Sequence, residues 1–155
     1  MNLEFRNLFI TGTPGVGKTH LAQKIMNNTI LEYDKTIPEY EMYKGIDLYK
    51  MHKCSELMFL SRRAKLGEDL YYECIKVKGL VLDDLGMGER SDYVPDIVYI
   101  VIDKRIDLGK PTIITTNLSL EQISNSIDRR LASRLSSFEF IELQGKDLRI
   151  EGNKQ

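Results

Sequence analysis

The stretch Gly12-Thr13-Pro14-Gly15-Val16-Gly17-Lys18-Thr19 limits what this chain can fold into more than any other feature. It fits G-x-x-x-x-G-K-[ST], in which glycines let backbone N–H groups curl around phosphate oxygens, a lysine adds a point charge and a hydroxyl joins a Mg2+ shell. The flanks agree with that reading. Leu8-Phe9-Ile10 lies in a strand-like run from Asn7 to Thr11, and His20 to Met26 reads as a helix. The loop therefore joins a strand end to a helix N-terminus, where an anion is favoured.

Further along, short apolar runs alternate with helical patterns, the signature of a parallel sheet wrapped by helices. Strands are expected near Asn7 to Thr11, Ile46 to His52, Gly79 to Leu85, Thr112 to Thr116 and Phe138 to Leu143. Ile30 to Gly45 has no clean period and reads as a surface connection. Leu57, Leu60 and Ala64 suggest an amphipathic helix that Ser55 caps and Gly67 ends, with a second short helix over Glu68 to Lys76. Arg62, Arg63 and Lys65 would form its polar side, a solvated face or a contact for a nucleic-acid backbone.

The third strand ends in Asp83-Asp84, two carboxylates at the carboxyl edge of the sheet, where open α/β folds bind ligands. Asp83 there can join a Mg2+ shell, and Asp84 can orient an attacking water. Ser91 to Leu108 carries Val94, Ile97, Val98, Val101 and Ile102 at helical spacing and stops at Gly109-Lys110-Pro111. The next strand has a polar tip, and Asn117 beyond it is placed to bond water or a γ-phosphate. Ser119-Leu120-Glu121-Gln122 reads as a capping box. In the last helical stretch, Ile127 to Leu135, Arg130 and Arg134 fall four apart on one face, suited to phosphate recognition or to pairing with nearby acids.

At 155 residues the chain suits one domain with a real core. A net charge of -1 argues against a globally basic nucleic-acid binder and leaves room for a local patch. No apolar run approaches the roughly 20 residues needed to span a bilayer, and the start lacks a signal peptide's pattern, so a cytoplasmic location is expected. Cys54 and Cys74 lack metal-ligand spacing and read as buried or half-buried thiols.

Together these motifs resemble the AAA+ ATPases, and within them the branch holding the DnaC-type helicase loaders and the IstB-type transposition ATPases. The resemblance rests on Gly15 to Ala22, Leu82 to Gly86, Ile102 to Arg105, Thr115 to Ser119, Arg130 to Leu135 and Gly145 to Arg149, in that order. It implies an α/β P-loop NTPase of AAA+ type, a three-layer sandwich with a five-stranded parallel sheet and no C-terminal lid, forming one ATPase core over residues 1–155. ATP and Mg2+ would be held by Thr13, Pro14, Gly15, Val16, Gly17, Lys18 and Thr19, with His20 fitting the family pattern and Arg149 reaching the nucleotide. Thr19 and Asp83 look like the metal residues, Asp84 like the catalytic carboxylate, and Asn117 like sensor 1. Arg134 looks like an arginine finger entering a neighbouring subunit's site, with Arg130 as companion.

The implied partners are further copies of the chain, single-stranded DNA, and a replicative helicase or other replication protein. Six residues precede the first strand, so the partner-binding N-terminal region usual in the family is expected to be absent. A minimal DnaC-like helicase loader leads. An IstB-like helper of transposition, a small-molecule kinase and a non-hydrolysing nucleotide-gated adaptor remain open.

Overall fold

The computed structural model describes residues 4–36, 48–61, 64–86 and 94–145. Its strands are β1 (Leu8–Gly12), β2 (Tyr49–Lys53), β3 (Gly79–Leu85), β4 (Thr112–Thr116) and β5 (Glu139–Leu143). Its helices are α1 (Lys18–Asp34), α2 (Cys54–Ser61), α3 (Ala64–Lys76), α4 (Val94–Asp107), α5 (Leu120–Ser126) and α6 (Arg129–Leu135). All strand pairs are parallel, in the order β2-β3-β4-β1-β5. Every carboxyl end therefore lies along one edge, and β4 sits between the strand that feeds the glycine-rich loop and the strand that ends in Asp83-Asp84.

Alternation along the strands divides the core into two layers. Leu8, Ile10, Val81 and Ile113 pack against Ala22 and Ile25 of α1. Phe9, Leu80, Leu82 and Ile114 face the other way, onto a larger cluster built from α2 to α6 that includes Leu57, Cys74, Val101, Ile123 and Leu131. The result is the expected three-layer α/β sandwich with a five-stranded parallel sheet. Among the described residues β5 is the last element, and no helical lid follows it.

Several boundaries differ from the sequence expectation. α1 runs on to Asp34, so the first part of the expected surface connection is helical, while 37–45 lies outside the described residues. The second strand starts at Tyr49, and Ile46 and Asp47 also lie outside. Gly67 does not end a helix: it lies inside α3, and Ser55 sits in the first turn of α2 instead of capping it. A helical glycine costs only about 1 kcal/mol relative to alanine, and Leu70, Tyr71, Cys74 and Ile75 of α3 pack on the core. Ser91 to Tyr93 lie outside the described residues, and α4 runs from Val94. The last helix begins only at Arg129, because Asp128 turns out and caps it by accepting from the N–H groups of Arg130 and Leu131. The stop at Gly109 (φ 63°) and the capping box between Ser119 and Gln122 are as expected.

Both cysteines are buried thiols, as expected. Burial pushes the Cys54 thiol up, with Asp83 and Asp84 adding to the shift, and pushes Cys74 up to about 12. Arg105 is fully buried, yet among the described residues its guanidinium meets no carboxylate. Its guanidinium donates to Thr112 Oγ1 and to the carbonyls of Cys74, Val77, Lys78 and Pro111, tying α3, β3, α4 and β4 together. Burial pushes it down to about 10, so it stays charged at neutral pH.

Candidate nucleotide site

The glycine-rich loop leaves β1 at Gly12, which has φ 148° and whose absent Cβ would run into the carbonyl oxygen of Leu143 on β5. Only glycine lets the loop start this close to the neighbouring strand. Gly15 and Gly17 have φ 81° and 97°, a left-handed backbone that turns the loop into the helix. Gly17 is also the N-cap of α1: it offers no side-chain cap, and the first turn holds no acidic residue. A helix of 17 residues thus starts with its N–H groups uncapped by a side chain, the arrangement that receives an anion.

Lys18 is only 5% exposed, and its Nζ donates to the carbonyls of Gly12 and Thr13, both at 2.8 Å. Thr13 and Pro14 are exposed at the rim, and Gly15 and Val16 are half-buried. Thr19 reaches across to β3, where its hydroxyl donates to Asp83 at 2.9 Å (Oδ1) and 3.2 Å (Oδ2). A hydroxyl and a carboxylate converging beside a phosphate loop fit Mg2+, a hard ion held by one or two protein oxygens plus phosphates. Among the described residues no cluster of three or more His, Cys, Asp or Glu could hold a metal ion.

Asp84 follows, half-buried, with φ 58°. Thr115 on β4 donates to Asp83 Oδ1 at 2.5 Å and accepts from the Asp84 N–H at 3.0 Å. The residue readings passed over Thr115, because a threonine inside an apolar strand reads as a strand former. Its place two residues before Asn117, on the strand between the loop and the carboxylates, is the signal that would have found it. Asn117 is half-buried just past β4, and the Thr11 hydroxyl on β1 donates to the Leu118 carbonyl at 3.2 Å, drawing the two strand tips together. His20 is exposed on α1.

The arginines form a separate region. Arg130 lies over the Tyr99 ring and pairs with Asp96 at 3.0 Å and Asp128 at 2.6 Å. Arg134 Nη2 meets Asp103 Oδ1 at 2.6 Å. Asp103 first, with help from Tyr99, raises the Arg134 guanidinium above its ordinary value. These partners lie on α4 and at the start of α6, away from the phosphate loop. Arg62, Arg63 and Arg149 lie outside the described residues, and Lys65 is exposed on α3.

A glycine-rich loop at a helix N-terminus is common to many phosphate-binding folds. A family model described as IstB-like ATP binding protein matches residues 3–137. The chain belongs to this IstB-like ATP-binding family. It lies in the AAA+ branch that DnaC and IstB share, and a small-molecule kinase is not favoured. This family member is 26% identical over 132 residues to the replicative helicase loader DnaC of Escherichia coli (strain K12), a match covering 83% of this chain and 49% of the relative. The chain thus spans about half the length of the curated DnaC it matches. A crystal structure of the DnaC helicase loader is similar, with TM-score 0.69 and 27% identity over 93% of this chain and 81% of that one. AMPPCP-bound DnaA from Aquifex aeolicus shares the fold, with TM-score 0.71 at 18% identity, over 96% of this chain and 44% of that one. Among the described residues no helix is long and apolar enough to cross a membrane.

Proposed function

We propose that residues 1–155 act as one ATPase core that binds and hydrolyses ATP in DNA replication, in the manner of a helicase loader, and that it works as an assembly of copies on single-stranded DNA. The observation that carries the reading is the Thr19–Asp83 hydrogen bond, which joins the phosphate loop to the carboxylate strand at the sheet edge. Lys18 and the loop N–H groups bind the phosphates, and Lys18 exchanges the Gly12 and Thr13 carbonyls for phosphate oxygens. Thr13 to Val16 line the loop and His20 follows on α1. Arg149, outside the described residues, is assigned to the nucleotide in the same reading. Thr19 and Asp83 would hold a Mg2+ ion, which when bound offsets phosphate charge. Asp84 orients the attacking water and Asn117 steadies it beside the γ-phosphate.

Arg134 completes the site of a neighbouring copy, with Arg130 beside it. An exposed arginine paired with an acid of its own surface can change partners at small cost. The curated relatives named as helicase loaders favour replication, with a replicative helicase or another replication protein as partner. Cytoplasmic action is part of the same proposal.

Phosphate release, followed against protein concentration with and without single-stranded DNA, tests this reading. Specific activity should climb with concentration and with DNA. A flat profile would remove the shared site, and no ATP-dependent phosphate release would leave a nucleotide-gated adaptor.

A further inference from the structure

The two carboxylates do not sit on a regular strand. β3 pairs with β4 as Leu82↔Ile114 and next as Leu85↔Thr116, so Asp83 and Asp84 together oppose the single residue Thr115. Leu82 and Leu85 are three apart, yet both pack into the larger core cluster, so one residue has dropped out of the alternation. That residue is Asp84, the only non-glycine with positive φ among the described residues. A left-handed backbone at a non-glycine costs on the order of 1 kcal/mol and persists only where the surroundings hold it. Thr116 secures the far side of this bulge, donating its hydroxyl to the Leu85 carbonyl at 2.7 Å.

Thr115 secures the near side and does more. It is fully buried, and a hydroxyl has one proton to give. That proton goes to Asp83 Oδ1, the oxygen that also receives the Thr19 hydroxyl, while the lone pair takes the Asp84 N–H. One side chain therefore fixes both the carboxylate beside the phosphate loop and the backbone that presents the next carboxylate. We propose that Thr115 is a positioning residue for ATP hydrolysis, aiming Asp83 at the Thr19 hydroxyl and holding Asp84 in its bulged conformation. This rests on the reading of Asp83 and Asp84 given above. Thr116 is its internal control: it is equally buried and bridges the same two strands, but it touches neither carboxylate.

The test uses the full chain with Thr115→Val, Thr115→Ser and Thr116→Val, and with Asp84→Asn alongside. Thr115→Val keeps the volume and removes the hydroxyl. It should lower turnover at saturating ATP about 10- to 100-fold, the size of one lost hydrogen bond to a charged or buried group. At saturating Mg2+, ATP affinity should stay within about twofold, because phosphate binding does not pass through Thr115. The Mg2+ concentration for half-maximal nucleotide binding should rise several-fold, and hydrogen exchange at the Asp84 amide, read by NMR, should quicken. Thr115→Ser should restore turnover to within about threefold, since the hydroxyl returns. Thr116→Val should leave turnover and the Mg2+ requirement as they were, whatever it does to melting temperature. If Thr115→Val does not fold, Thr115→Ala removes the same hydroxyl and carries the same expectations. Wild-type turnover and Mg2+ requirement in the hydroxyl-less variant would overturn the role of Thr115, as would a serine variant no better than valine or an equal loss in Thr116→Val. Full turnover in Asp84→Asn would overturn the underlying hydrolysis reading, and the Thr115 role with it.

Discussion

The phosphate-loop edge and the arginine face hold their charges in opposite ways. At the edge, Lys18 and Asp83 are buried and met by fixed partners: two loop carbonyls for the ammonium, two threonine hydroxyls for the carboxylate. On the face of α4 and α6, the side chains of Arg130 and Arg134 are 58% and 44% exposed and lean on acids of their own surface. Buried groups with satisfied hydrogen bonds are preorganised for a ligand, whereas exposed ion pairs add little stability and exchange readily. One region holds its charges inside the fold, and the other holds them at the surface.

The largest effect expected from breaking this contrast belongs to the exposed region. Arg134→Ala should cut turnover by about a thousandfold or more, the range of an arginine finger, while leaving ATP affinity and melting temperature unchanged. Steady-state phosphate release together with calorimetry checks both halves. An equal loss in affinity would mean that Arg134 serves its own chain's nucleotide.

Next in size is the buried region. Lys18→Ala should weaken ATP binding roughly 100-fold, because the charge-assisted bonds of the ammonium have no substitute in the loop. Titration calorimetry at low ionic strength measures it, and unchanged affinity would remove the phosphate-loop assignment.

What the sequence made legible follows the same division. The loop, the strand carrying Asp83 and the capped start at Ser119 are local patterns, each set by residues within a few positions of one another, and each appears in the fold. The bulge at Asp84 is not local. Leu80-Val81-Leu82-Asp83-Asp84-Leu85 reads as one strand, and the skipped alternation follows only once Thr115 on a strand distant in sequence lies opposite. Gly67 misled for a related reason: tertiary packing of α3 outweighs a weak local preference. Asp128, two residues from Arg130, is a local partner, but Asp96, Asp103 and Tyr99 lie on another helix, and its packing on α6 brings them near.

A smaller effect sharpens the contrast through the cap of α6. Hydrogen bonds from the Arg130 side chain, ahead of the backbone N–H groups of Arg130 and Leu131, hold the Asp128 carboxyl below the ordinary carboxylate range despite some burial. Asp128→Ala should cost about 1 kcal/mol at neutral pH through loss of the cap. A carboxyl lowered in the folded state stabilises above its unfolded pKa near 4, and the benefit is lost as pH falls through the lowered folded value. The melting-temperature gap between wild type and variant should therefore be full at pH 7 and shrink toward pH 2. A gap that persists at pH 2 would mean that the side chain acts by packing and not by charge.

In the proposed assembly one chain supplies the phosphate loop and carboxylates while another supplies Arg134. Mixing Lys18→Ala protein with Arg134→Ala protein tests it most directly. In a mixed assembly, an Arg134→Ala subunit keeps an intact nucleotide site, and a Lys18→Ala neighbour brings an intact arginine to it. ATP turnover should reappear in the mixture although each variant alone is nearly inactive, and it should rise with total protein concentration. Co-assembled variants that stay as inactive together as apart would contradict the shared site.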